Sequence, residues 1–425
     1  MINKNCVKVI LFLISIKKKQ KKIFFLYFCP PKVSKMVDEL EQDLQSRNKN
    51  VQEAMRELNM DGCLLSVDVH LYYLTGRVFN GYYYLPAEGA PVCFVKRPNT
   101  LSGKHIVPIQ KSEQMADFFR SEGIPFPGRL LLETDEITYN ECVRLQQVFL
   151  RPAIGNATTL MRRMREIKTT QEINQLRLSA SHHATAYAHI ASCYRPGMTD
   201  LDFQIEIERI MRMNGSIGVF QVFGPNMNIF MGSVLAGSNA EAASPFDFAL
   251  GGQGLSSFCP IGANGTLLKE GMAVMVDMAG NFTSYLTDMT RVFAVGQLPP
   301  LACRAHQVSL DIQAEIKQVA RPGFPCAELY QLALDRVEKE GLKDYFMGTV
   351  QQAKFIGHGI GLQINELPII SPRSPEVLLP NMAFALEPKF VIPAVGAVGI
   401  ENSFLVTETG IEQLTVFEED IIPLA

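Results

Sequence analysis

Hydrophobic and polar positions change their spacing several times along the chain, and each change predicts an element. From Val37 to Leu58, acids come first and apolar residues then recur at helical spacing. Gly62 is the stop signal, so this segment is predicted as a helix. Short apolar runs at Cys63–Val67, Leu71–Leu74, Tyr82–Leu85, Val92–Val95 and Arg129–Leu132 read as strands, giving an α/β layer that extends to about Asn156. A long helical pattern runs from Gln171 to about Ser192 and is closed by Pro196-Gly197. Thr199 and Asp200 can cap the next helix, which runs to about Met213. Ser238–Gly265, with many Gly, Ala and Ser, is loop-like. Two more helical patterns, Ala302–Val319 and Cys326–Glu340, are separated by Arg321-Pro322-Gly323.

The stretch that organises the rest is Met272–Gly296. Ala273–Val276 is an apolar run ending in Asp277, Gly280-Asn281 is a turn signal, and Leu286–Val295 resumes as a second strand carrying Asp288. Two acids thus stand where the pattern wants apolar residues. Carboxylates gathered in an apolar sheet repel and are costly to desolvate, so a cation between them is the simplest reason to keep both; the plain alternative is two solvated strand-end residues. Register is left open. A loop tip at Phe282-Thr283 would set Asp277 opposite Asp288, whereas a tight Gly280-Asn281 turn would not.

Composition narrows the class. With 425 residues, 47% apolar and 20% charged, the chain can bury two substantial cores. Nine cysteines are scattered singly with no C-x-x-C pair, which suits a reducing, cytoplasmic setting. The formal charge of -3 hides an asymmetry. Residues 1–35 carry nine lysines and no acid, so 36–425 is strongly acidic, which argues against nucleic acid as a partner. The leader has two apolar runs, Val9–Ile16 and Ile23–Cys29, each too short to span a bilayer. Met36 is expected as the true start and 1–35 as a mis-assigned extension, a membrane or export role being the alternative.

Three further polar residues recur in apolar surroundings beyond Gln351. His358 sits in Gly357-His358-Gly359, Glu387 follows Ala383-Phe384-Ala385-Leu386 and precedes Pro388, and Glu401 follows Val398-Gly399-Ile400. One histidine with four carboxylates is a hard, oxygen-rich set suited to divalent ions. His182 and His189 share a helix face but lack a third ligand nearby, and are read as surface residues. His70 and His105 are isolated and read as structural or solvated.

Asp277, ten residues, Asp288, then His358 between glycines, Glu387 before Pro388, and Glu401 in Ile-Glu-Asn-Ser-Phe-Leu-Val-Thr resemble the pita-bread metallopeptidases, which include methionine aminopeptidase, aminopeptidase P and prolidase. Arg162–Lys168 with the following helix, Tyr285, Arg291 and Leu71–Gly76 extend the resemblance over roughly 36–425. It implies an α+β chain: a smaller creatinase-like α/β N-terminal domain over 36–158, then a pita-bread domain over 159–425. It implies Asp277 on one metal, Asp288 and Glu401 bridging, and His358 and Glu387 on the other. Two ions of manganese, cobalt or zinc would then activate a shared water, with Glu387 accepting its proton and passing it to the departing amine. A homodimer is also implied.

Three positions depart from the family pattern. Asn365 stands where a histidine is usual and is expected to contact substrate. Phe246, in Ser244-Pro245-Phe246, stands near another histidine position, and Gly399 replaces an arginine. The long loop 246–271 is expected to refill the pocket with Gln253 or Ser256-Ser257. The leading expectation is hydrolysis of Xaa-Pro bonds in dipeptides or at peptide N-termini. The alternatives are a different reaction on a small molecule at the same metals, or a pseudo-enzyme serving as a binding module.

Overall fold

A computed structural model describes residues 31–103, 105–224, 230–246 and 248–425, with side chains from Asp38 onward; the leader expectation falls largely outside them. The first helix, α1 (Pro31–Glu57), covers the predicted one and leads into β1 (Gly62–Leu65). Leu71–Leu74, expected as a strand, lies instead in helix α2 (Asp68–Thr75). A four-residue apolar run is too short to show a period. Here Asp68 in the first turn and Gly76 at φ +69, its N–H donating to the Tyr72 carbonyl, close a helix at both ends.

The layer continues through β2 (Asn80–Pro86), β3 (Val92–Arg97), β4 (Ile106–Pro108), α3 (Gln114–Ser121), β5 (Arg129–Leu132), α4 (Tyr139–Val148) and β6 (Ala153–Asn156). These strands form one mixed sheet in the order β4-β3-β2-β1-β5-β6. Alternation along the strands divides its faces. Leu64, Tyr84, Phe94 and Leu132 pack on Phe119 of α3 and Phe149 beside α4. Cys63, Leu65, Tyr83 and Leu131 face the other way, onto Val51 and Met55 of α1, and this core runs on into Leu286, Ile360 and Ile364. The N-terminal layer is therefore one wall of the structure that follows.

That structure comprises α5 (Ala157–Glu166), α6 (Thr170–Tyr187), α7 (Asp200–Met213), β7 (Gly232–Ala236), β8 (Met272–Gly280), β9 (Thr287–Val295), α8 (Pro300–Val319), α9 (Cys326–Lys339), β10 (Gly357–Gly359), β11 (Glu366–Ile370), β12 (Ala383–Leu386), β13 (Lys389–Ile392), β14 (Gly396–Gly399), β15 (Asn402–Val406), β16 (Ile411–Gln413) and β17 (Ile422–Leu424). Capping boxes start α6 (Thr169 with Glu172) and α7 (Thr199 with Asp202). Both helices cover the sheet β17-β9-β8-β7 through Tyr187, Phe203 and Ile207 on Val274, Val276 and Phe293. Helices α8 and α9 cover the β11-β10-β12-β15-β16 sheet and the β13-β14 hairpin, with Ile312 and Leu329 in a core that holds Phe384, Phe390 and Phe404. The architecture is α+β, as expected. Among the described residues no helix is long and apolar enough to cross a membrane.

The register of the organising hairpin matches neither anticipated option. Asp277 pairs with Thr290, and Ala279 with Asp288. Because side chains alternate along a strand, the two acids share a face as diagonal neighbours. The Thr283 hydroxyl accepts from the Tyr285 N–H at 3.1 Å, which makes a turn inside the loop and moves its tip beyond Phe282-Thr283.

Candidate metal centre

The five donors singled out in the sequence come from both sheets and meet. Asp277 is on β8, Asp288 on β9, His358 on β10, Glu387 just past β12, and Glu401 between β14 and β15. Close packing of β10 depends on its glycines: a Cβ on Gly359 would lie 2.0 Å from the Leu367 carbonyl oxygen, and one on Gly357 2.3 Å from that of Ala385. The Thr290 backbone bridges to Glu401, tying the two sheets together at the cluster.

The carboxylate oxygens divide into two groups. On one side, the His358 Nε2 lies 3.4 Å from Glu387 Oε1, 3.9 Å from Asp288 Oδ2 and 4.0 Å from Glu401 Oε1. Asp288, His358 and Glu401 each offer one donor atom within 4.8 Å of the others. Bonds near 2 Å to one ion place ligand atoms roughly 3–4 Å apart, so this triad can close on a divalent ion with Glu387 beside it. Glu401 Oε1 is buried with no hydrogen-bond partner, an orphaned acceptor in the same place. One divalent ion fits these residues.

On the other side stands a residue that the sequence reading passed over. Lys389 is fully buried, and its Nζ donates to Glu387 Oε2 at 2.7 Å, Asp277 Oδ2 at 2.8 Å and Glu401 Oε2 at 2.9 Å. Asp277 lies outside the metal-compatible triad. Thr290 Oγ1 adds a 2.8 Å bond to Glu401 Oε2, and Ser403 Oγ accepts from the Asp288 N–H at 2.8 Å. Lys389 had a signal of its own, a cation opening the apolar run Lys389-Phe390-Val391-Ile392, all of it buried.

The electrostatics follow from crowding. Burial raises the Asp288 and Glu401 carboxyls, and neighbouring carboxylates raise them further. Burial also pushes Glu387 upward, but the Lys389 ammonium and His358 outweigh it and hold that carboxyl low. Burial pulls the His358 imidazole down, yet its contacts with Glu387 and Glu401 lift it to about 8.

The cluster opens into a cavity of about 710 Å³. Asn365 and Phe246, two of the departures noted above, line it. The Asn365 amide is engaged with the 220–224 segment: Oδ1 accepts from the Phe223 N–H and Nδ2 donates to the Phe223 carbonyl, both at 2.7 Å. Gln253 and Ser256-Ser257, expected to refill the pocket, are exposed and do not line it; Phe246, Phe248 and Leu250 do. The loop thus turns three apolar side chains to the cavity, while Leu255 and Phe258 further along it are exposed. Gly399 is not on the wall. It pairs with Lys389 across β13-β14 at φ +122, where a Cβ would lie 2.6 Å from the Pro388 carbonyl oxygen.

Arg162 on α5 also lines the cavity; only its place in the entry helix was legible in the sequence. Its guanidinium lies 4.0 Å over the Phe223 ring and donates to the Asn365 carbonyl at 3.1 Å, while its Nε is buried without a partner. Of the remaining histidines, His182 and His189 are exposed, and His183 is buried with Nδ1 3.1 Å from Thr287 Oγ1. His70 is buried with Nδ1 2.6 Å from Glu133 Oε1, and His105 is exposed.

Residues 174–408 match the model of metallopeptidase family M24, and residues 47–167 that of the creatinase/prolidase N-terminal domain. An uncharacterized peptidase of Bacillus subtilis, YqhT, is 27% identical over 379 residues, covering 87% of this chain and 97% of the relative. The Xaa-Pro dipeptidase of Pyrococcus horikoshii is 23% identical over 384 residues, covering 89% and 99%. Among solved structures, the Xaa-Pro dipeptidase from Bacillus anthracis superimposes with a TM-score of 0.75 at 24% identity, covering 90% of this chain and all of that one. The prolidase from Pyrococcus horikoshii gives 0.73 at 21% identity, covering 88% and 99%. With more than half of its length matched by the family model and the donor set gathered at the meeting of its two sheets, the chain belongs to metallopeptidase family M24, a hydrolase with a creatinase/prolidase-type N-terminal domain.

Proposed function

We propose that this hydrolase is metal-dependent and cleaves Xaa-Pro bonds, with dipeptides as its preferred substrates, in the cytoplasm. The observation that carries this reading is the Asp288–His358–Glu401 triad opening into a cavity whose wall also carries Arg162. Phe220, Phe223, Phe246 and Phe248 give that cavity apolar faces on which a proline ring can pack. Arg162 is the cation placed to take the free carboxylate of a dipeptide, a group that an internal peptide bond does not offer.

Asp288, His358 and Glu401 would hold a divalent ion, manganese, cobalt or zinc, which would supply Lewis acidity for water and for the peptide carbonyl. The remaining tasks belong to side chains. Glu387, held ionised between Lys389 and His358, accepts the proton of the attacking water and delivers it to the departing proline nitrogen. Asn365 keeps one amide N–H beyond its bond to Phe223, and that N–H is the donor offered to bound substrate. The full chain supplied with manganese should turn over Xaa-Pro dipeptides faster than longer Xaa-Pro peptides. Metal binding without turnover of either would remove the peptidase reading. It would leave a different reaction on a small molecule, which the side chains Phe246 and Asn365, neither able to relay a proton as imidazole does, would then favour.

A further inference from the structure

The resemblance implies two divalent ions, and the side chains accommodate one. Lys389 lies in the middle of the carboxylate group and uses all three of its N–H donors on three carboxylate oxygens, from Asp277, Glu387 and Glu401. We propose that the Lys389 ammonium is a built-in cation standing in the place of a second divalent ion, so that the centre takes a single divalent ion on the His358 side. The inference rests on the metal-dependent reading above.

Three observations converge on it. The oxygens divide cleanly: Glu387 and Glu401 each turn one oxygen to Lys389 and the other towards His358, while the Asp277 oxygen at 2.8 Å belongs to Lys389. Charge divides the same way. Lys389 already brings into the carboxylate group, from the chain itself, positive charge that a second ion would otherwise supply, and an ion entering beside it would meet the ammonium's repulsion. The backbone that carries the ammonium is also fixed. The Lys389 carbonyl accepts from the Met347 N–H at 2.8 Å, and its strand is paired to Gly399. A second ion would have to displace a buried ammonium that has no other carboxylate to go to among those it touches. Gly399, where the family pattern has an arginine, faces Lys389 directly. The local positive charge has in effect moved from β14 to the opposing strand.

The test is a count of ions on the full chain. After chelation and reloading with manganese, elemental mass spectrometry should give one ion per chain, and electron paramagnetic resonance should show isolated rather than exchange-coupled manganese. Lys389→Ala should raise the count to two and introduce coupling. Should that variant fail to fold, Asp277→Asn provides the second arm. It should keep one ion with affinity within roughly threefold, because even outer partners of a true ligand cost about 10–100-fold when lost. Two ions in the natural sequence, none at all, or loss of the ion in Asp277→Asn would overturn the proposal. Turnover of Xaa-Pro dipeptides with two ions bound would sink this inference and leave the peptidase reading standing; one ion without turnover would do the reverse.

Discussion

Among the described residues two clusters bury a lysine against carboxylates, and they have opposite characters. Where the end of α5 meets the start of β11, Glu366 accepts from Lys168 Nζ at 2.8 Å and Arg165 Nε at 3.1 Å, and from the backbone N–H groups of Leu362 and Gln363 at 3.1 and 3.2 Å. Arg165 also reaches Gln363 Oε1 at 2.5 Å. Two cations and two amides enclose one carboxylate. In the candidate centre the ratio is inverted, with one ammonium among three carboxylates, a fourth nearby in Asp288, and an orphaned oxygen on Glu401. Here the carboxylate is saturated, with Arg165 Nη1 left unpaired, and the cluster joins the end of α5 to the start of β11. An unsaturated one that opens into a cavity holds negative charge in reserve for a ligand.

The comparison is broken most forcefully by a variant in each cluster. Asp288→Ala should abolish metal binding and lower Xaa-Pro turnover by more than the roughly 100-fold that loss of an outer metal partner can cost. The fold should survive, because Asp288 does not hold Lys389, and removing a crowded buried acid relieves repulsion. Activity persisting in this variant would contradict the assigned centre. Glu366→Ala should do the converse. It leaves Arg165 and Lys168 buried without their carboxylate, a loss of about 3–5 kcal/mol in unfolding free energy. Its metal affinity should stay unchanged in whatever fraction folds. Chemical denaturation beside calorimetric titration separates the two, and equal effects of both variants on stability would erase the distinction drawn here.

A smaller effect sharpens the reading of the cavity wall. Arg162→Gln should raise KM for an Xaa-Pro dipeptide by about tenfold, the lower end of what a charge-assisted hydrogen bond contributes, with kcat little changed. The same substrate with an amidated C-terminus should show no such penalty between the two proteins. An equal loss on both would assign Arg162 to holding Phe223 and Asn365 in place rather than to the substrate.

The acids and His358 were legible because each interrupts an apolar run, and burial of a lone charge demands a reason. Lys389 obeys the same logic. It was missed because it follows Glu387 and Pro388, so the carboxylate explained the interruption and the lysine read as its flank. Register was not legible, since the Thr283 turn depends on a side-chain bond that no spacing rule reports. Neither was the helix at Leu71–Leu74, where only the punctuation by Asp68 and Gly76 distinguishes it from a strand. Arg162 shows the limit of local reading: it lies on a helix nearly two hundred residues before the His358 segment, and only packing of α5 against β11 brings it to the wall.

The smallest effect concerns acid. Burial alone would raise the Glu366 carboxyl, but Lys168 and Arg165 outweigh it and hold it below the ordinary glutamate range. A folded-state value beneath the unfolded one contributes stability that is fully present above the unfolded pKa, about 4.3, and is lost as pH falls through the lower folded value. Glu366→Gln keeps the shape and removes the titration. Unfolding free energy measured from neutral pH downwards should therefore fall less steeply in the variant than in the natural chain once pH drops below about 4.3. Asp288→Asn should leave that acid limb unflattened, since the carboxyl it removes is raised by burial and crowding rather than depressed. Identical acid limbs for the natural chain and Glu366→Gln would show that the two cations do not hold Glu366 as the geometry requires, and the saturated cluster would lose its claim to be architecture.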